Sequence, residues 1–339
     1  MRYFCLLALG VSVAAGAIDI TPRIGLIEIY GAHKVSEQKI RTALAANVGD
    51  PLPSREAAEA RIDQVPGVLV SRVEAACCSE RSMILYVGVE ERDSPHVEYH
   101  DAPAGEITLP ATLLDGYRKL LDNAAASIRG HNADQDLTNG YSLMADPEAR
   151  ELQLSFLPAM TENLALVDRV LRQSADSEQR AAAAYLLQYG PRGPHTNKFI
   201  VDALQYALRD REDEVRENAV RALQAITVGA KLHPDQRIQI QPTWFVELMN
   251  SVVWTDRHDA TLALVDLTET RDPETLQLLR DRALPSVVEM ARWHDLQHAL
   301  PAFILAGRLA GLDEKQINAA WIGDRESVLK QALHPRARR

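Results

Sequence analysis

The sequence predicts an α+β protein: a small mixed sheet near the N-terminus, followed by an all-α solenoid of paired helices. Three observations carry this. Residues 24–91 read as strand, helix, helix, strand, strand. From about Pro147 onward only helical signals occur, and one helical pattern recurs. Aromatic content is 5% against 46% hydrophobic residues, with Ala and Leu dominating, a composition that favours helices.

The first residues read as a targeting segment. Arg2 is followed by an apolar, small-residue run from Phe4 to Ala17, and Ala15-Gly16-Ala17 fits a signal cleavage site. A signal peptide over residues 1–17, cleaved after Ala17, is therefore expected, with a periplasmic or secreted location. Asp19 and Arg23 interrupt the run before the roughly 20 apolar residues that a membrane span needs, and no later segment of the mature chain is long enough. The formal charge of -10 argues against nucleic acid as a partner.

Within residues 24–91, Ile27 and Ile29 alternate with Leu26, Glu28 and Tyr30, the period of a strand. Ser36 caps a helix from Glu37 to about Ala46, and Gly49-Asp50-Pro51 breaks it. Ser54 opens a second helix that Pro66-Gly67 ends. Strands follow at Val68–Ala76 and Met83–Glu90, with a polar turn at Ser79–Ser82. Residues 92–111 contain Pro95, Pro103, Gly105 and Pro110 and read as a linker, so two independently folding units are expected. A helix from Leu113 to Arg129 and a loop from His131 to Asn139 come next, and the helical domain runs over residues 112–333. Pro273 and Pro285 mark helix starts, and residues 334–339 form a basic tail with Arg336, Arg338 and Arg339.

Two runs carry a family resemblance. Gly25-Leu26-Ile27-Glu28-Ile29-Tyr30-Gly31-Ala32-His33-Lys34-Val35-Ser36-Glu37 is one; Val65-Pro66-Gly67-Val68, with two strand patterns ending at Glu90-Glu91-Arg92, is the other. Together residues 24–91 resemble a POTRA domain, the polypeptide-transport-associated module of bacterial envelope proteins. Further on, Ala207-Leu208-Arg209-Asp210-Arg211-Glu212-Asp213-Glu214-Val215-Arg216-Glu217-Asn218-Ala219-Val220-Arg221-Ala222-Leu223 resembles a HEAT repeat, with Val215, Ala219, Ala222 and Leu223 as its buried stripe. A weaker copy runs from Asp176 to Leu187 and a fainter one from Arg257 to Leu264. Arg180 aligns with Arg216, and the copies recur at spacings of 36 and 41 residues.

The resemblances imply a binding protein whose partners are other polypeptides. In POTRA modules partner strands add to an exposed sheet edge. Here that implies the strand Val68–Ala76, with Val70, Arg72 and Glu74 as receiving residues and Arg72→Pro as the disabling change. A solenoid adds a concave surface.

Chemistry-bearing patterns are few. Cys77 and Cys78 are adjacent and are a disulfide candidate, which leaves open a thiol-redox sensor. His258-Asp259, His294 and His298 leave open a metal-dependent hydrolase, although further ligands at helical spacing are missing. No Gly-x-Ser-x-Gly elbow and no phosphate loop occurs, so no catalytic residue, cofactor or metal ligand is assigned and an enzyme is not expected. The carboxylates at Glu212-Asp213-Glu214 read as a solvated face paired with Arg216 and Arg221.

Overall fold

The structure is a computed structural model, and it describes residues 22–79, 82–92, 94–129, 134–236 and 238–334. The signal segment and the arginines of the basic tail lie outside these residues.

The sheet unit contains β1 (Ile24–Tyr30), α1 (Glu37–Leu44), α2 (Arg55–Ile62), β2 (Val68–Ser79) and β3 (Ser82–Glu91). α1 stops two residues short of the expected end because Ala45 turns left-handed, with φ 53°. Ser54 caps α2 through the N–H of Ala57. The strand order is β1-β3-β2, with β1 parallel and β2 antiparallel to β3, so β2 is an edge strand.

β3 alternates between two buried faces. Leu85, Val87 and Val89 join Ile27, Ile40, Leu44, Ala58, Ile62 and Val73 in a core under α1 and α2. Ile84 and Tyr86 point the other way and belong to the core of the helical region, as does Tyr30 of β1. A strand buried on both faces is apolar at nearly every position, as Met83 to Val89 is. Gly88 faces the helices too; a Cβ there would lie 2.0 Å from the Val252 carbonyl oxygen, so only glycine allows this approach.

The chain then crosses to the helices without regular structure. This stretch is irregular, as expected of a linker, yet it is held along its length. Val97 and Leu109 are buried. The His100 N–H bonds to the Arg209 carbonyl, and Gly105 exchanges backbone bonds with Gln173 and Ala175. One face of the sheet, through Tyr30, Ala76, Ile84 and Tyr86, belongs to the same core as the helices, while the face under α1 and α2 keeps a core of its own. Buried apolar side chains between the prolines, Val97 and Leu109, pin this strap.

The helical region comprises α3 (Ala111–Arg129), α4 (Pro147–Gln173), α5 (Ser177–Leu186), α6 (Pro194–Ala207), α7 (Asp213–Leu232), α8 (Thr243–Leu248), α9 (Trp254–Leu267), α10 (Pro273–Met290), α11 (Leu296–Leu309), α12 (Glu314–Ile322) and α13 (Arg325–Leu333). Where a loop was expected before α4, Gln135–Asp136 pairs with Leu143–Met144 as a two-residue ladder, too short to leave an alternation in sequence. Pro285 lies inside α10 and does not start a helix. The buried stripe of Leu279, Ala283, Val287 and Met290 runs past it, and packing holds the helix together there.

Helices from Pro147 onward pack as pairs, α4 with α5, α6 with α7, α8 with α9, α10 with α11 and α12 with α13. The second members stack in a row, α5 on α7, α7 on α9, α9 on α11 and α11 on α13. An arginine ladder ties the row. The Arg180 guanidinium donates to the carbonyls of Ser174 and Ala175 and, at 2.7 and 3.0 Å, to the Asp210 carboxylate. Arg216 repeats this with the carbonyls of Asp210 and Arg211 and the carboxylate of Asp256. Arg257 repeats it with the Ser251 carbonyl and, at 2.8 Å, Glu289. Arg180 and Arg216 are almost wholly buried, so each depends on its carboxylate for charge balance. Arg216 therefore does not pair with the neighbouring acidic run. Arg221 instead pairs with Glu217, and the Glu214 carboxylate accepts a 3.0 Å bond from the Tyr117 hydroxyl of α3.

Candidate functional site

Two places in the fold present chemistry: the outer edge of β2, and the joint where the sheet meets α9 and α11.

Along β2, the Val73 N–H points away from β3 and donates to the Glu59 carboxylate of α2, 2.8 Å away. Alternation then turns the main-chain groups of Val70, Arg72 and Glu74 toward β3, where they pair with Glu90, Gly88 and Tyr86. These three residues, predicted to receive a partner strand, thus have their backbone groups committed to the ladder. A proline at Arg72 would break the sheet and would not report on its edge. The outward groups belong to Ser71, Val73 and Ala75. The Ser71 carbonyl accepts from the Arg72 guanidinium, and the Ser71 hydroxyl donates to Asp63. The first half of the edge is thereby blunted by side chains. Ala75 is exposed, and beside it lies a cleft of about 290 Å³ lined by Leu52, Pro53, Arg55, Val73, Trp254 and Thr255. Cys77, exposed farther along β2, is disulfide-bonded; the side chain of Cys78 lies outside those described.

Glu74 has a different role. Its carboxylate accepts from the N–H groups of Trp254 and Thr255 and from the Thr255 hydroxyl, so a side chain from the sheet caps the N-terminus of α9. Burial nonetheless raises its pKa above the usual glutamate value. Glu28 of β1 does the equivalent before α11, where it accepts the His294 N–H at 2.5 Å and faces the His294 ring at 3.0 Å. The Gly31 N–H donates to Glu289, and the Tyr30 hydroxyl donates to the Val252 carbonyl.

Between these caps sits an aromatic cluster. The Tyr86 ring stacks on Trp254 with centroids 4.7 Å apart, and Trp254 stacks on His258 at 4.9 Å. The His258 and His298 rings meet edge-on at 5.1 Å. The Tyr86 hydroxyl lies 2.6 Å from His298 Nδ1. Buried His258 Nδ1 has no hydrogen-bond partner, and burial pushes the His258 pKa down to about 4. Burial also lowers His298, against the opposing pull of Asp295. Asp259, the next residue on α9, is pushed up to about 7 by burial.

The structure thus brings together two of the three histidines that sequence singled out, and gives the third to Glu28. Among the described residues no group of three or more His, Cys, Asp or Glu side chains is placed to hold a metal ion. Sequence reasoning missed Tyr86, Trp254 and the capping roles of Glu28 and Glu74. The signal for Tyr86 was present, because an aromatic on the second face of a fully apolar strand needs a partner surface.

No family model matches the chain. No curated protein matches it. Among solved structures it is similar to the crystal structure of an engineered protein from the Northeast Structural Genomics Consortium, at 22% identity over 57% of this chain and 85% of that one. The TM-score of 0.36 is too low for that likeness to carry an argument. Among the described residues no helix is long and apolar enough to cross a membrane.

Proposed function

We propose that this chain is an exported adaptor or scaffold of the bacterial envelope, with a POTRA-like module on a HEAT-like solenoid, that captures other polypeptides by strand addition to β2. Partner chains would also reach the helical-repeat surface. The observation that carries the reading is the contrast within the β2 edge. Side chains cover the groups at Ser71 and the Val73 N–H, whereas Ala75 is exposed beside an open cleft. An extended peptide there would pair with the main chain from the Val73 carbonyl onward, and the cleft would take one of its side chains. The arginine ladder supports the repeat reading, since Arg180, Arg216 and Arg257 occupy the same place in successive pairs.

The test is Ala75→Pro against Ala75→Gly, both checked by circular dichroism. Proline at an outward position removes a donor without touching the β2–β3 ladder. Capture from envelope extract should be lost with proline and kept with glycine. A folded proline variant that still captures its partners would rule out this edge.

One observation favours a second reading: the disulfide at Cys77 sits at the end of this edge. A thiol-redox sensor would show capture that differs between oxidised and reduced protein, with Cys77→Ser fixing it in one state.

A further inference from the structure

The joint contains more ionisable groups than its packing requires. The sheet contributes Glu28, Tyr30, Glu74 and Tyr86. α9 contributes Asp256, Arg257, His258 and Asp259; Glu289 comes from α10, and His294, Asp295 and His298 from the entry and first turn of α11. Most are satisfied. Asp256 holds Arg216, Arg257 holds Glu289 and lies over the Tyr30 ring, and Asp295 caps α11. Two imidazoles are different. His258 and His298 touch each other, are packed against Trp254, and have between them one hydrogen bond to the sheet, at Tyr86.

We propose that the joint is an acid-sensitive latch, in which protonation of His258 and His298 releases the sheet from α9 and α11. A second N–H on His258 would have to point from a buried Nδ1 that has no acceptor. A charge on His298 would face the charge on His258 at ring contact distance. Both penalties ease once the sheet leaves and water reaches the rings.

The sign follows from which state binds the protons. Both histidines are harder to protonate when docked, so the released state takes up protons first. Docking is at full strength above the ordinary histidine value of 6.5 and is lost as pH falls toward about 4. Glu74 and Asp259 act in the opposite sense, because burial raises both and the docked state takes their protons. Asp295, 3.6 Å from His298 Nδ1, also eases protonation there. The latch therefore rests chiefly on His258. It does not depend on what the β2 edge binds.

Amide exchange on the full chain tests this, because the Trp254 and His294 N–H groups bond across the joint to Glu74 and Glu28. After correction for intrinsic rates, their protection should fall about tenfold per pH unit for each linked proton below pH ~6.5. The amide of Val220, deep in α7, should keep its protection. The double variant His258→Phe, His298→Gln should abolish the loss of protection on acidification, leaving only the opposite dependence from Glu74 and Asp259. Equal loss in that variant, or loss at Val220 in parallel, would overturn the latch. The His258 ring proton of the unaltered protein gives a second reading that needs no variant. Titration at the ordinary histidine value while the joint amides stay protected would also overturn it.

Discussion

The two faces of the small sheet are built from different chemistry. The face under α1 and α2 is aliphatic, with Leu85, Val87 and Val89 of β3 against Ile40, Leu44 and Ile62. The opposite face, toward α9 and α11, carries Tyr30 and Tyr86 and two glutamates that cap helix ends. The first is a folding core, where only volume and hydrophobicity matter. The second is a docking surface, where Glu28, Tyr30, Glu74 and Tyr86 each have a partner on a helix or its entry. Dispersion and burial hold the first at any pH; the second also depends on charge state.

Substitutions can break that contrast. Val87→Asp should be the most damaging, because it buries an unpaired carboxylate in the aliphatic core; a loss on the order of 4 kcal/mol or more is expected from urea unfolding. Tyr86→Ala should cost about 3 kcal/mol through a cavity beside Trp254 and a lost partner for His298. It should also shift Trp fluorescence and leave the α1–α2 core intact, which amide exchange at Val87 would show. Glu74→Ala should cost about 1 kcal/mol, the usual worth of a helix cap, and should fray the start of α9. The smallest effect belongs to Glu214→Gln, which keeps an acceptor for the Tyr117 hydroxyl and should change stability by less than about 0.5 kcal/mol. If Tyr86→Ala and Val87→Asp destabilise the α1–α2 core equally, the two faces are not separate in the way described.

Much of this was legible in the sequence where the pattern is local. The order of the sheet unit, the Ser54 cap and the left-handed turn at Gly67 follow from short-range signals. The buried stripe of Val215, Ala219, Ala222 and Leu223, and the equivalence of Arg180 and Arg216, came with the resemblance of those runs to a helical repeat. Nonlocal pairings were not legible. The ladder carboxylates Asp210 and Asp256 lie 30 and 40 residues beyond their arginines, and nothing in the sequence marks them apart from other acids. Glu74 looked like one residue of an alternating strand; its role depends on α9 arriving from 180 residues away. The direction of the β2 backbone groups depends on an irregularity between Val68 and Val70, which shifts register without a glycine or proline to announce it. Pro285 misled because buried neighbours on both sides outweighed its local cost.

The central claim is that the helices complete the sheet. Comparing the fragment 22–92 with the same sheet in the full chain tests it most directly. Alone, the fragment exposes Tyr30, Ile84 and Tyr86, which are buried in the full chain. The account predicts that the fragment melts well below the sheet of the full chain, and that added fragment 94–334 restores its stability by binding it. A fragment that melts at the full-chain temperature and does not bind 94–334 would contradict the account.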